Sequence, residues 1–343
     1  MKVKIGNVVI GDNEKIAIQS MTNTDTRDYI KTAYQIRELE EAGADIVRCT
    51  VPDMEAANAI KEIKKRVNIP IVADIHFDYR LAIESVKCGA DKVRINPGNI
   101  GDDERVLKVV NCLKERDIPM RIGVNSGSLP SEILEKYKKP TPEAMFEAAK
   151  KHIDLVNKFD YDNIVISVKA SDTSLTVNTN RLLNKHFKYP LHLGVTEAGT
   201  TYNGIIKSAV GIGALLLDNI GDTIRVSLTD NPVEEIKAAK SILKAVGISD
   251  GTPYIISCPT CGRTKIDLIS IANQVEDAVK NIKKPIKIAV MGCAVNGPGE
   301  AREADVGIAG GDGCAVIFKK GEIIKKVKEE EIVSELLSEI EKL

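Results

Sequence analysis

An alternation of apolar strands with amphipathic helices begins at about residue 16 and continues to about residue 248. Strands are expected at Ile16–Met21, Ile46–Val51, Ile69–Ile75, Lys92–Asn96, Met120–Asn125, Ile164–Lys169, Leu191–Thr196 and Thr223–Leu228. Between them, apolar residues recur at helical spacing, as in Thr32–Ala42, Met54–Arg66, Arg80–Cys88 and Glu104–Glu115. The stretches Ala42–Arg48, Cys88–Arg94 and Arg116–Gly123 repeat one design: a helix end, a turn, then an apolar strand. Eight βα units in roughly 240 residues are what a closed (β/α)8 barrel, a TIM barrel, requires. An open doubly wound sheet is the second choice, but no Gly-x-Gly-x-x-Gly turn follows the first strand. Residues 4–11 read as a hairpin about Gly6-Asn7.

The chain has 343 residues, more than one barrel needs. The segment Ser249-Asp250-Gly251-Thr252-Pro253 reads as a linker, placing the barrel in 1–248 and a small α+β domain in 249–343. The second domain is expected to run strand (Tyr254–Ser257), helix (Lys265–Ile282) and strand (Lys287–Met291), followed by a Gly/Pro-rich loop. Two short strands around Asp312-Gly313 and Lys319–Glu322 and a helix from Glu329 complete it, with the charge run Lys325–Glu331 as a solvated helix start.

In a (β/α)8 barrel the C-terminal ends of the strands face the active site. Read in order, those ends carry Arg48, Asp74 and His76, Arg94 and Asn96, Arg121 and Asn125, Lys169, Glu197, and Arg225 with Ser227. A single arginine there is a solvated rim residue. Five cations on five strands, in a chain whose net charge is only −1, point to a multiply charged anion. A diphosphate fits best, because guanidinium forks match phosphate oxygens. Asn96 and Asn125 sit in Gly-containing loops and add neutral donors. Glu197 is either a salt-bridge partner for these cations or an acid/base group. His76 is either a phosphate donor or a packing residue at a helix start. The same net charge gives no footprint for nucleic acid. No apolar run reaches the length of a membrane span.

Seven cysteines, an odd number, suit a reducing cytoplasm. Three stand apart from the rest: Cys258 and Cys261 in Cys258-Pro259-Thr260-Cys261-Gly262, and Cys293 in Met291–Glu300. Each loop follows a short apolar strand. A Cys-x-x-Cys pair with a third cysteine some thirty residues on is compatible with a [4Fe–4S] cluster. Glu300 would then be a weak, exchangeable fourth ligand, because a carboxylate is a hard donor. A zinc knuckle, a redox pair or plain buried thiols remain alternatives, although no second Cys-x-x-Cys completes a zinc site. The glycines around Cys293 favour a cluster, whose sulfurs want backbone N–H donors nearby. Cys49, Cys88, Cys112 and Cys314 read as small buried hydrophobes or structural neighbours.

The chain as a whole resembles the bacterial 4-hydroxy-3-methylbut-2-enyl diphosphate synthases of the non-mevalonate isoprenoid pathway. The resemblance rests on Ile18–Thr24, Val47-Arg48, Ala73–Phe77, Arg94–Asn99, Arg121–Asn125, Leu193–Gly199, Ser257–Gly262 and Met291–Glu300. It implies the two-domain form, with a sulfite-reductase-like second domain. It further implies reductive opening and dehydroxylation of 2-C-methyl-D-erythritol 2,4-cyclodiphosphate, with electrons from ferredoxin or flavodoxin. By the same resemblance Arg48, Arg94, Arg121, Lys169 and Arg225 hold the diphosphate, assisted by Asp74, His76, Asn96, Asn125 and Ser227. Cys258, Cys261, Cys293 and Glu300 ligate the cluster. Glu197 orients the substrate hydroxyl or delivers a proton.

Two rival classes stand beside this one: a non-redox, phosphate-binding barrel enzyme similar to dihydropteroate synthases with a structural zinc domain, and an electron-transfer or assembly module. Linker length adds an expectation about assembly. The last barrel helix, Val233–Val246, ends at the pole opposite the mouth, roughly 20 Å away at ~1.5 Å per residue. The linker Gly247–Pro253 spans only about 25 Å when fully extended. A head-to-tail homodimer, each cluster serving the partner's barrel, answers this constraint, and the resemblance implies the same arrangement.

Overall fold

The computed structural model describes residues 1–248, 251–293 and 301–343. Glu300 lies outside the described residues. Two units divide the chain, Met1–Val246 and Gly247–Leu343.

The first unit opens with the hairpin β1 (Val3–Ile5) and β2 (Val8–Ile10). Eight parallel strands follow: β3 (Ala17–Met21), β4 (Ile46–Thr50), β5 (Ile71–Asp74), β6 (Lys92–Ile95), β7 (Met120–Asn125), β8 (Ile164–Lys169), β9 (His192–Leu193) and β10 (Thr223–Ile224). Each lies where an apolar run was expected, but the last two are only two residues long. Beyond Leu193 and Ile224 the chain leaves the ladder to build the mouth. The sheet order is β8-β7-β6-β5-β4-β3-β10-β9, and a bridge from Leu191 to Ile166 closes the ring.

Helices return the chain from the mouth: α1 (Tyr29–Ala42), α2 (Met54–Lys64), α3 (Tyr79–Lys87), α4 (Pro97–Ile100), α5 (Asp103–Lys114), α6 (Ser131–Tyr137), α7 (Pro142–Asn157), α8 (Thr173–His186), α9 (Thr201–Leu217) and α10 (Pro232–Ala245). Asp53, Asp78, Asp102 and Asp172 each accept a backbone N–H in the first turn of the helix that follows. Such caps hold the loops at the mouth to short, defined paths. At the other pole, Val3, Ile5 and Ile10 of the hairpin pack with Ala17, Ile46, Val72 and Val165. That apolar plug seals the N-terminal end, so the barrel opens at the mouth alone.

The second unit is a mixed sheet in the order β11 (Tyr254–Ser257), β12 (Lys287–Met291), β13 (Val306–Gly311), β14 (Cys314–Lys319) and β15 (Glu322–Lys328). The first three strands are parallel and the last two antiparallel. One face buries Ile288, Val290, Ile308 and Ile317 under α11 (Leu268–Val279) and α12 (Ile332–Glu341). Two expectations need correcting. Asp312-Gly313 and Lys320-Gly321 are turns that join three strands, not the sites of two. The latter turn has positive φ at both residues, as a two-residue hairpin demands. The charge run from Lys325 is not a helix start: Lys325–Lys328 lie in β15, at the sheet edge, where lysines discourage further pairing. The helix proper begins at Ile332, after a short turn at Glu329–Glu331.

Candidate active site

Strand register builds the site. Asp74 pairs with Arg94, and Arg94 with Arg121, across β5, β6 and β7. Parallel register partners present their side chains to the same face, so one level of the barrel interior carries a carboxylate and two guanidiniums. Arg94 Nη1 donates to Asp74 Oδ1 at 3.1 Å, and Arg48 Nε stands 3.5 Å from Asp74 Oδ2. Burial alone would raise the Asp74 carboxyl, but Arg48, Arg94 and Arg121 outweigh it and hold it down at about 2. Asp74 is therefore an anion that orients two arginines. On the other side of the ring, Arg225 Nη2 lies 3.5 Å from Glu235 Oε1 of α10. Glu235 also accepts the Leu228 N–H at 3.1 Å, which pins the loop after β10.

Two glycines make room for the cations. A Cβ on Gly123 would sit 2.6 Å from Arg94 Nε, and one on Gly194 2.7 Å from Lys169 Nζ. Burial, reinforced by Arg225, Arg121, Arg48 and Arg94, pulls the Lys169 amine well below its ordinary value. The resulting cavity is about 130 Å³ and is lined by Arg48, Asp74, His76, Arg94, Arg121, Asn125, Lys169, Arg225 and Ser227, with Gly123, Ser167 and Thr196. Five cations meet one lining carboxylate. The volume is below the roughly 300–1,000 Å³ of a pocket for a whole small molecule and suits the charged end of one. His76 is half exposed, its Nε2 4.0 Å from Asp74 Oδ2.

Two expected residues are not among those lining this cavity. Asn96 is buried, but its Oδ1 accepts the Gly98 N–H at 3.2 Å and so caps α4. It faces a separate cleft of about 1190 Å³ beside α6 and α7, lined by lysines and carboxylates of mixed sign. The cap takes the oxygen and leaves the Nδ2 group as the neutral donor. Glu197 is exposed and is not among the cavity-lining residues, although its neighbour Thr196 is. Its φ is +51°, a left-handed conformation that costs a non-glycine residue energy and clusters at functional sites. Among the described residues it forms no ion pair. The residues missed in the sequence are Gly123, Ser167, Gly194, Thr196 and Glu235. Strand alternation pointed to the glycines, each two positions from a residue of the site, whereas Glu235 comes from a helix.

In the second unit Cys258 follows β11 and Cys293 follows β12, neighbouring parallel strands. The Gly292 N–H donates to Cys258 Sγ at 3.1 Å, and the Lys265 N–H to Gly292 O at 3.1 Å. The Cys261 thiol is lowered by a backbone hydrogen bond from Arg263 and by the Arg263 and Thr264 side chains. Backbone N–H groups aimed at sulfur favour thiolates, the form that binds metal. The donors fit an iron–sulfur group in kind, although no set of three or more Cys, His, Asp or Glu stands at metal-binding spacing among the described residues. By contrast the Cys49 thiol is pushed up to about 12 by burial and is inert.

A cation-lined mouth on a (β/α)8 barrel, with a thiol-bearing mixed-sheet domain in the same chain, defines an anion-binding barrel enzyme with an appended cysteine domain. The chain belongs to the GcpE family: residues 1–240 match its TIM-barrel domain and residues 254–342 its C-terminal domain. It is 60% identical to a 4-hydroxy-3-methylbut-2-en-1-yl diphosphate synthase (flavodoxin) of Clostridium perfringens, over 99% of this chain and 97% of that one. A synthase of the same name from Caldanaerobacter subterraneus is also 60% identical, over 100% of this chain and 96% of the relative. Among solved structures, a dihydropteroate synthase of Coxiella burnetii aligns with TM-score 0.51 and 14% identity, over 73% of this chain and all of that one. That likeness is one of barrel fold alone, and it leaves the dihydropteroate-synthase-like alternative without support from the site. No helix among the described residues is long and apolar enough to cross a membrane.

Proposed function

We propose that this chain catalyses the reductive ring opening and dehydroxylation of 2-C-methyl-D-erythritol 2,4-cyclodiphosphate to 4-hydroxy-3-methylbut-2-enyl diphosphate. The observation that carries this reading is the ring of Arg48, Arg94, Arg121, Lys169 and Arg225 around a cavity with Asp74 as its lining carboxylate. Two electrons and one proton enter, the opening ring C–O bond leaves its electron pair on a diphosphate oxygen, and the hydroxyl takes the proton and leaves as water. Opening the ring adds negative charge to a diphosphate oxygen. Guanidiniums already fixed around the cavity stabilise such a charge with little reorganisation. Asn125 and Ser227, which line the same cavity, supply neutral donors, and His76 a further donor at the rim. Glu197, held at the mouth in its left-handed conformation, orients the substrate hydroxyl or gives it a proton.

Cys258, Cys261 and Cys293 would hold a [4Fe–4S] cluster, with Glu300 as its fourth ligand. When bound, that cluster supplies the two electrons singly. Flavodoxin is the expected donor, as in the names of the relatives, with ferredoxin as the substitute. Seven free thiols are in keeping with a reducing cytoplasm. The enzyme acts as a head-to-tail homodimer, each cysteine domain serving the partner's cavity, a reading supported by the short stretch between α10 and β11. The test is anaerobic turnover of the cyclic diphosphate with reduced flavodoxin. Formation of the linear allylic diphosphate is expected. Failure to form it with a fully loaded enzyme and a competent donor would refute the assignment.

A further inference from the structure

Below the arginines the barrel holds a second polar layer that the proposed chemistry does not use. Lys92 stands two positions before Arg94 on β6, so both side chains point inward, Lys92 nearer the plugged pole. Its register partner on β5 is Val72, part of the plug. Lys92 is 0% exposed, and its Nζ has no hydrogen-bond partner among the described residues. The charged groups that face it are Arg121 from β7 and Arg48 from β4, with His192 from β9 also within electrostatic reach. The carboxylates of the barrel interior are engaged elsewhere, Asp74 with Arg48 and Arg94, Glu235 with Arg225. Its neighbours share the shortage of acceptors. Gln19 Nε2 and Arg121 Nε are unpartnered, and His192 has Nδ1 against Thr223 Oγ1 at 2.7 Å with Nε2 left over.

An ammonium with no acceptor, surrounded by guanidiniums, is strongly disfavoured. Burial pushes the Lys92 amine well below its ordinary value, and Arg121 and Arg48 push the same way. An anion in the next layer up would offset much of the local positive field, because a diphosphate brings at least two negative charges where Asp74 now supplies one. We propose that Lys92 is a proton-linked positioning residue: a neutral amine in the empty barrel that takes up a proton when a diphosphate group seats on the arginines above it. The proposal rests on the diphosphate reading of the cavity. The proton comes from solvent, and no other bond changes. The ammonium then sits behind Arg121 and adds a charge to the cradle only when an anion is there to balance it. Because the bound state holds more protons, affinity falls with rising pH across the range where Lys92 is neutral in the free protein and charged in the bound one.

The test is calorimetric titration of the full-length protein with inorganic diphosphate in buffers of different ionisation enthalpy, which counts protons taken up. Lys92→Met keeps the length of the side chain and removes the amine. Wild type is expected to take up about one proton more than Lys92→Met. Comparing the two proteins cancels the ionisation of diphosphate itself and any contribution from Lys169. Equal uptake overturns the proposal and leaves the cavity reading standing. Absence of diphosphate binding to wild type overturns both. Should Lys92→Met not fold, carbon-13 labelling at lysine Cε keeps the question open to measurement in Lys169→Met, where Lys92 is the buried lysine left in the barrel. A lysine resonance at the amine position that moves to the ammonium position on adding inorganic diphosphate supports the proposal. A set of lysines already fully charged without it overturns the proposal.

Discussion

The backbone N–H of Gly292 donates to Cys258 Sγ at 3.1 Å, joining loops that are 34 positions apart in sequence. Parallel pairing of β11 with β12 causes this approach, since both cysteine loops leave the same edge of one sheet. Cys258→Ser and Cys293→Ser are expected to lose the iron–sulfur absorbance, whereas Cys49→Ser and Cys112→Ser, on buried sulfurs of the other unit, keep it. Iron and sulfide content of the four purified variants checks this. Retention in all four would contradict the ligand assignment. Glu300→Ala is expected to give a cluster that loses iron more readily than wild type.

Glu197→Gln keeps shape and removes charge. A group that moves a proton or orients the reacting hydroxyl affects turnover more than affinity, so kcat is expected to fall by about 10²-fold or more. Arg121→Ala is expected to raise KM instead. Steady-state kinetics of the two variants decide, and the reverse pattern would exchange their roles.

Gly123→Ala tests the room made for Arg94. The added Cβ would meet Arg94 Nε at 2.6 Å, and its nearest neighbours are all atoms of that one flexible side chain. The fold is expected to survive while the guanidinium is displaced, weakening substrate binding by roughly tenfold, the scale of one lost charge-assisted hydrogen bond. Thermal denaturation together with KM separates this outcome from simple unfolding.

Asp74 gives a pH signature. Its carboxyl is lowered from 3.8 to about 2, so its contribution to stability is fully present above the ordinary range and is lost as pH falls through about 2. That contribution is about 2 kcal/mol on the linkage relation. Asp74→Asn is expected to be less stable than wild type at neutral pH, with the gap closing between about pH 4 and pH 2. Denaturant unfolding across that range checks it, and a gap independent of pH would remove Asp74 as the counter-ion of the arginines.

Much of this was legible in the residues. Ala42–Arg48 and Cys88–Arg94 each announce a helix end, a turn and a barrel strand, and the arginine closing each one lines the cavity. The capping role of Asn96 was not legible, because only the backbone path of α4 brings the Gly98 N–H to its oxygen. Lys92 opens an expected strand beside Asp91, and its residue type does not show which way it turns. Strand register alone shows that Asp91 turns outward to Lys64 while Lys92 turns inward. The charges of Lys325–Lys328 resemble a helix start and hide an edge-strand pattern, since Val327 alone of β15 is buried.

Trans assembly of the site has its own test. Inactive Glu197→Gln and inactive Cys293→Ser subunits, mixed and reconstituted anaerobically, are expected to regain activity, since one site in each mixed dimer combines an intact cavity with an intact cysteine domain. Verified mixed dimers that stay inactive would contradict the arrangement.

Metal and sulfide analysis of the anaerobically purified wild-type chain tests the central claim most directly. A brown protein with about four irons and four sulfides per chain is the predicted result. A colourless protein that holds one zinc and no sulfide would contradict the account.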